Sequence, residues 1–150
     1  MHRWLFVVVA ALLSACSTTQ VLHNQVASAN VGCDVTADSK VSGRYQASGA
    51  YALGKRVNDD EVKWQALLNG VEAAQRDGYD LVAWSGPAVG NITRTKGYLG
   101  TNTSWVDAQY PLFTYSVQGY KSGGSYPPDA RPTDRVIAEV REKIAKAKAN

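Results

Sequence analysis

Residues 58–79 carry a full set of helix start and stop signals, and a helix this well bounded dictates what the neighbouring segments must do. Asn58 is placed to cap the first free amides, with Glu61 three residues on to reach back as in a capping box. Val57 and Val62 have the spacing of a hydrophobic staple, while Asp59, Asp60 and Glu61 put negative charge on the positive end of the helix dipole. Trp64, Leu67, Leu68, Val71 and Ala74 share one face. Gly78 stands where a left-handed C-terminal cap is wanted, and Tyr79 is positioned to fold back on Ala74. A helix of about nineteen residues is predicted.

Both flanks read as strands. Upstream, KVSGRYQASGAYAL alternates, with Val41, Gly43, Tyr45, Ala47, Gly49, Tyr51 and Leu53 on one face and Ser42, Arg44, Gln46, Ser48 and Ala50 on the other. Downstream, YDLVAWSG is so continuously apolar that it reads as a strand buried on both sides, ended by Pro87. AVGNITRT reads as a further strand leading into the Gly-, Thr- and Asn-rich stretch from Lys96 to Tyr110, a long loop or an extended hairpin tip. PLFTYSVQGYKSG alternates again, with Phe113, Tyr115 and Val117 opposite Leu112, Thr114, Ser116 and Gln118. SGGSYPPDARP is a Gly/Pro connector in which helix is disfavoured. The chain closes on an amphipathic helix with Val136, Ile137, Val140 and Ile144 as its stripe, and with Glu139–Lys143 and Glu142–Lys146 at helical spacing. Trp64, Trp84, Tyr45 and Phe113 are assigned to the core. The order β-α-β-β-(β)-α predicts an α+β fold: a mostly antiparallel sheet of three to five strands with two helices packed on it. A right-handed crossover through the first helix would make its flanking strands parallel neighbours.

The N-terminus concerns address more than fold. The apolar run from Trp4 to Leu13 is about half the length that spans a bilayer as a helix. With His2-Arg3 ahead and Ser14-Ala15 behind, it has the layout of a secretory signal. Leu13-Ser14-Ala15-Cys16 resembles the lipobox of bacterial lipoproteins. That resemblance implies cleavage before Cys16, a diacylglyceryl group on its sulfur and acylation of its new amine, a multi-chain anchor that holds where a single chain would not. Ser17 in place of Asp implies sorting to the outer membrane. The expected layout is a signal peptide over 1–15, a lipidated N-terminus and tether over 16–40 with room for a short strand around Val31–Val35, and one domain over 41–150.

The 150-residue chain has a net charge of +3, too weak a balance to point to nucleic acid. With Cys16 lipidated, Cys33 is the one remaining thiol, so packing and not an internal disulfide must hold the fold. Cys33 is open to three readings: a small buried hydrophobe, a site of intermolecular pairing, or a reactive thiol.

Catalytic and metal chemistry find little footing. His23, in the expected tether, is the sole histidine of the mature chain, so neither a triad nor a metal site is supported, and no cofactor is expected. The Asp59–Glu61 carboxylates are accounted for by the helix start. GPAVGNITRTKG bears a passing likeness to a phosphate-cradling loop but lacks the Gly-Lys-Ser/Thr ending. Tyr98, Trp105, Tyr110, Tyr120 and Tyr126 lie in or beside loops, where aromatic side chains favour recognition.

GRYQASGAYAL, the helix with LLNGVEAAQRDGYD, and LVAWSG together are similar to small bacterial lipoproteins built as strand, alanine-rich helix, Gly-Tyr-Asp turn and strand. That resemblance carries fold and location, with no catalytic residues. The expectation is a non-enzymatic outer-membrane lipoprotein, periplasmic or surface-facing, that binds an envelope protein or glycan through 96–110 together with 120–126. Two alternatives stand beside it: an accessory subunit of an envelope transport or secretion complex, and a periplasmic enzyme using Cys33.

Overall fold

A computed structural model describes the backbone of residues 21–22, 31–52, 58–98 and 104–149, and the side chains of 31–52, 58–93 and 109–149. The expected signal segment, Cys16, His23 and Val57 lie outside the described residues. The strands are β1 (Val21–Leu22), β2 (Val31–Ala37), β3 (Arg44–Tyr51), β4 (Leu81–Tyr98), β5 (Ser104–Tyr120) and β6 (Arg131–Pro132); the helices are α1 (Asp59–Arg76) and α2 (Thr133–Ala149). The strands form one sheet in the order β1-β2-β3-β5-β4-β6, with every neighbouring pair antiparallel. The α+β class is therefore as the sequence predicts. Two strands of two residues each extend the sheet at its edges. The segment read as tether contains β2, whose Val31 and Val35 are fully buried.

α1 starts and stops on the predicted residues. The Asn58 side chain accepts the Asp60 amide at 2.9 Å. The reciprocal half of the capping box does not form, because the Glu61 carboxylate is drawn inward to lie 3.7 Å from the Lys148 ammonium. At the other end, the Tyr79 amide donates to the Ala74 carbonyl at 3.0 Å and the Gly78 amide to that of Gln75 at 2.9 Å, a Schellman closure made possible by Gly78 at φ +79°.

The helix sits on β2, β3 and β5 unusually closely, because small residues face one another across the gap. A Cβ on Gly49 would lie 2.9 Å from that of Ala66, and one on Gly70 would lie 2.8 Å from both the Ala47 Cβ and a Val117 methyl carbon. Two tyrosines of β3 clamp its ends: Tyr51 donates to the Asp59 carboxylate and Tyr45 to that of Asp77. Burial and that carboxylate push the Tyr45 phenol well above its usual pKa. α2 lies alongside α1 with Val136, Ile137, Val140 and Ile144 buried, and the seam is edged by Arg141–Glu72 at 2.8 Å and by the Lys143 ammonium 4.1 Å above the Trp64 ring. Of the two predicted intrahelical pairs, Glu142–Lys146 forms at 2.7 Å; Glu139 instead takes Arg131 at 2.6 Å.

Three expectations are corrected. β3 and β4 run in the same direction but are not neighbours, since β5 inserts between them and pairs with both. The segment after α1 is not buried on both faces: only Val82 is fully buried, because the sheet beyond β4 has just the two residues of β6. Pro87 does not end the strand either, as β4 runs on through a register shift between Ser85 and Ala88. Of the residues assigned to the core, Tyr45 and Phe113 are buried, while Trp64 and Trp84 pack partly exposed against its rim.

The close seat of α1 sets a test. Gly70→Ala favours helix by about 1 kcal/mol in propensity, but it forces a methyl onto two others and should lower net stability by roughly 1–2 kcal/mol. Denaturant unfolding reads the difference, and an unchanged or raised midpoint would contradict the packing described.

Candidate functional site

Both helices cover one face of the sheet, so the alternation of β3 and β5 decides what the other face presents. Tyr45, Ala47, Phe113, Tyr115 and Val117 point into the core. Their intervening neighbours are Arg44, Gln46, Ser48, Thr114, Ser116 and Gln118. The register sets Arg44 opposite Gln118, Gln46 opposite Ser116 and Ser48 opposite Thr114, giving a polar, small-residue surface. Ser48 and Thr114 hydroxyls lie 3.1 Å apart.

Two depressions open on this face. One, of about 550 Å³, is lined by Arg44, Ser85, Ser116, Gln118, Tyr120 and Asp129 among others. Its neighbour, of about 370 Å³, is lined by Thr36, Asp38, Arg44, Gln46 and Ser116. Arg44 and Ser116 are common to both. The Gln118 amide nitrogen donates to the carbonyls of Ser42 at 3.0 Å and Gly119 at 3.1 Å, which turns its oxygen toward Arg44 Nε at 3.4 Å. Arg44 Nη1 stands 3.9 Å from the Asp38 carboxylate, a charge contact too long for a hydrogen bond. The guanidinium is held in place from one side, with its two Nη groups making no hydrogen bond among the described residues.

The five predicted aromatic residues do not form one surface. Trp105 and Tyr120 are fifteen positions apart on the same strand, about 50 Å at the rise of an extended chain. Tyr120 lines the larger depression, next to the connector that carries Tyr126, which is 48% exposed. Tyr110 packs partly buried against the core, its ring 5.9 Å from that of Tyr51. Tyr98 and Trp105 lie on the far arm of the β4–β5 hairpin, with Tyr98 opposite Ser104 and Trp105 opposite Gly97; their side chains fall outside the described residues. The stretch from Lys96 to Tyr110 is thus the extended hairpin tip of the two alternatives, as far as it is described. Residues 86–97, compared with a phosphate loop, are strand and lead into no helix.

The reactive-thiol reading of Cys33 loses its chemical basis. Its side chain is buried between Val31, Tyr51 and Phe113, and burial first, with Asp34 second, pushes the thiol up to about 12. Within the fold Asp59 accepts from Tyr51 and Asp60 pairs with Lys63 at 3.0 Å, while the buried Glu61 has only a charge contact to Lys148 at 3.7 Å and its Oε1 makes no hydrogen bond among the described residues. No cluster of metal-ligating side chains occurs among the described residues, and no helix among them is long and apolar enough to cross a membrane.

No protein-family model, curated protein or solved structure matches this chain.

Of the predicted residues, Tyr120 lines the larger depression; Arg44, Ser116, Gln118 and Asp129, which line it too, were not singled out in the sequence. The polar half of each alternating segment was the signal for the strand residues. What brings the halves together is a β3–β5 pairing between residues some seventy positions apart, which no local pattern discloses. The burial of Cys33 has its own consequence. Alkylation of the native protein with iodoacetamide at pH 8 should leave Cys33 unmodified, and unfolding in guanidinium should expose it; rapid native modification would contradict its placement.

Proposed function

We propose that this chain is a non-enzymatic lipoprotein, held to the outer membrane through acylated Cys16, that works by binding another envelope component on the helix-free face of its sheet. The anchor rests on the lipobox-like Leu13-Ser14-Ala15-Cys16. The observation that carries the binding role is the polar pair of depressions meeting at Arg44 and Ser116, a concave surface with donors not taken up by the fold. Recognition sites commonly combine such a concavity with a few placed polar groups and an aromatic wall, here Tyr120.

A second reading, an accessory subunit of an envelope transport or secretion complex, draws support from the outer part of the β4–β5 hairpin. Beyond Phe113, β5 pairs only with β4 among the described residues, and β4 pairs with β6 only at Leu81 and Val82. A two-stranded ribbon gains stability from a third strand, so this arm suits insertion into a larger assembly.

Mass spectrometry of the protein from envelopes should find Cys16 as an acylated N-terminus, and Cys16→Ala should release the chain from the membrane fraction. A cleaved but unacylated product would remove the anchor. Photo-crosslinking residues at Ser116 and Tyr126 should yield envelope adducts, whereas one at the exposed Ala138 on α2 should not. Adducts chiefly from the 68%-exposed Val89 and from Asn91 would favour the assembly reading, and equal yields from all positions would sink both.

A further inference from the structure

The two depressions share a cation and are each bordered by a carboxylate. Arg44 stands at their common rim, Asp38 lines the smaller and Asp129 the larger. In either depression a purely anionic ligand would gain Arg44 and meet one carboxylate. A purely cationic one would gain the aspartates and meet the guanidinium. The complementary shape of charge is a zwitterion.

Several features narrow the class. The Arg44 Nη donors form the planar fork that matches a carboxylate. Ser116, exposed on the paired strand opposite Gln46 and two residues from Gln118, the partner of Arg44, lines both depressions with Arg44 and offers a hydroxyl to the same anion. Asp129 and Tyr120 line the same larger depression as Arg44, the one offering a carboxylate to an ammonium and the other an aromatic surface. The larger depression, about 550 Å³ and open to solvent, has room for a ligand of a few residues.

We infer that this site binds a short, free zwitterionic peptide, with its carboxylate on Arg44 and Ser116 and its ammonium toward Asp129. The inference rests on the helix-free face being the binding face, and it names the chemistry recognised there. Asp38 stands 3.9 Å from Arg44 without a hydrogen bond, so an arriving carboxylate displaces a weak contact.

The test is an amide-resolved NMR titration of the full chain in detergent micelles, with alanyl-alanine as the probe. Saturable shifts at Arg44, Ser116 and Tyr120 are expected. Amidating the carboxylate of the dipeptide, or replacing Arg44→Gln, should weaken binding about tenfold or more, with Arg44→Lys intermediate because the fork is lost while the charge stays. Asp129→Asn should weaken the free dipeptide and leave N-acetyl-alanyl-alanine unaffected. Circular dichroism and thermal unfolding verify that each variant folds. Equal affinity for the amide and the free acid, or an unchanged Arg44→Gln, would overturn the assignment. So would the absence of any saturable shift. Tighter binding of O-phosphoethanolamine than of the dipeptide would also overturn it, in favour of a lipid headgroup. Loss of the ligand class with Ser116 crosslinks intact leaves the binding face standing; loss of both removes the face as well.

Discussion

The close contact between α1 and the central strands governs the rest of this molecule. Helix-on-sheet packing ordinarily leaves room for large side chains, but here Gly49 receives Ala66 and Gly70 receives Ala47 and Val117. Val62, Ala66, Leu67, Val71 and Ala74 are fully buried in consequence. A seat this tight tolerates little sliding, since each glycine admits one neighbour and excludes a methyl group. The tyrosine clamps at the two helix ends then fix direction as well as distance.

From that seat the Gly78-Tyr79-Asp80 turn gains its role. Leaving α1, the chain must drop back to the sheet at once, and Tyr79 does so by lying flat over Gly119 and Gly43, where a Cβ would come within 2.6 Å and 2.8 Å of its ring. Asp80 accepts the Ser122 amide at 2.9 Å through its carboxylate and the Thr133 amide at 2.9 Å through its carbonyl. One turn thus ties the end of α1, the end of β5 and the start of α2. With both helices committed to one face, the opposite face is left to the alternate residues of β3 and β5. That surface is where the functional proposal lies.

How much of this was legible in the sequence follows from the range of the interactions. The caps of α1, its length, the alternation of β5 and the apolar stripe of α2 are local patterns that match the structure, while the alternation of β3 holds from Arg44 to Ser48 and then fails at Ala50, which is buried beside Tyr51. The Glu61 half of the capping box failed because a partner from α2, far along the chain, competed for the carboxylate. Glu139 was lost to Arg131 in the same way. The neighbours of β4 were misassigned because the crossover reading took no account of β5, which inserts between β3 and β4, and its burial was overstated because an apolar run in YDLVAWSG does not distinguish a strand covered on both faces from one near the sheet edge with only its Val82 fully buried. The five aromatic residues looked like one cluster in sequence; the long hairpin spreads Tyr98, Trp105, Tyr110 and Tyr120 along its length and leaves Tyr126 on the connector beyond it. Arg44 carries no motif, and only the cross-strand register reveals it as the shared rim of two depressions.

Native-state hydrogen exchange of the full chain tests the central claim most directly, because it reads the stability of each element separately. If the α1 seat organises the fold, the amides of Ala66–Val71 on α1, Ala47 on β3 and Val117 on β5 should exchange only through global unfolding, all with one free energy. Exchange of α1 through a separate, lower-energy opening while β3 and β5 stay protected would contradict the account, since the sheet would then stand without the helix said to hold it.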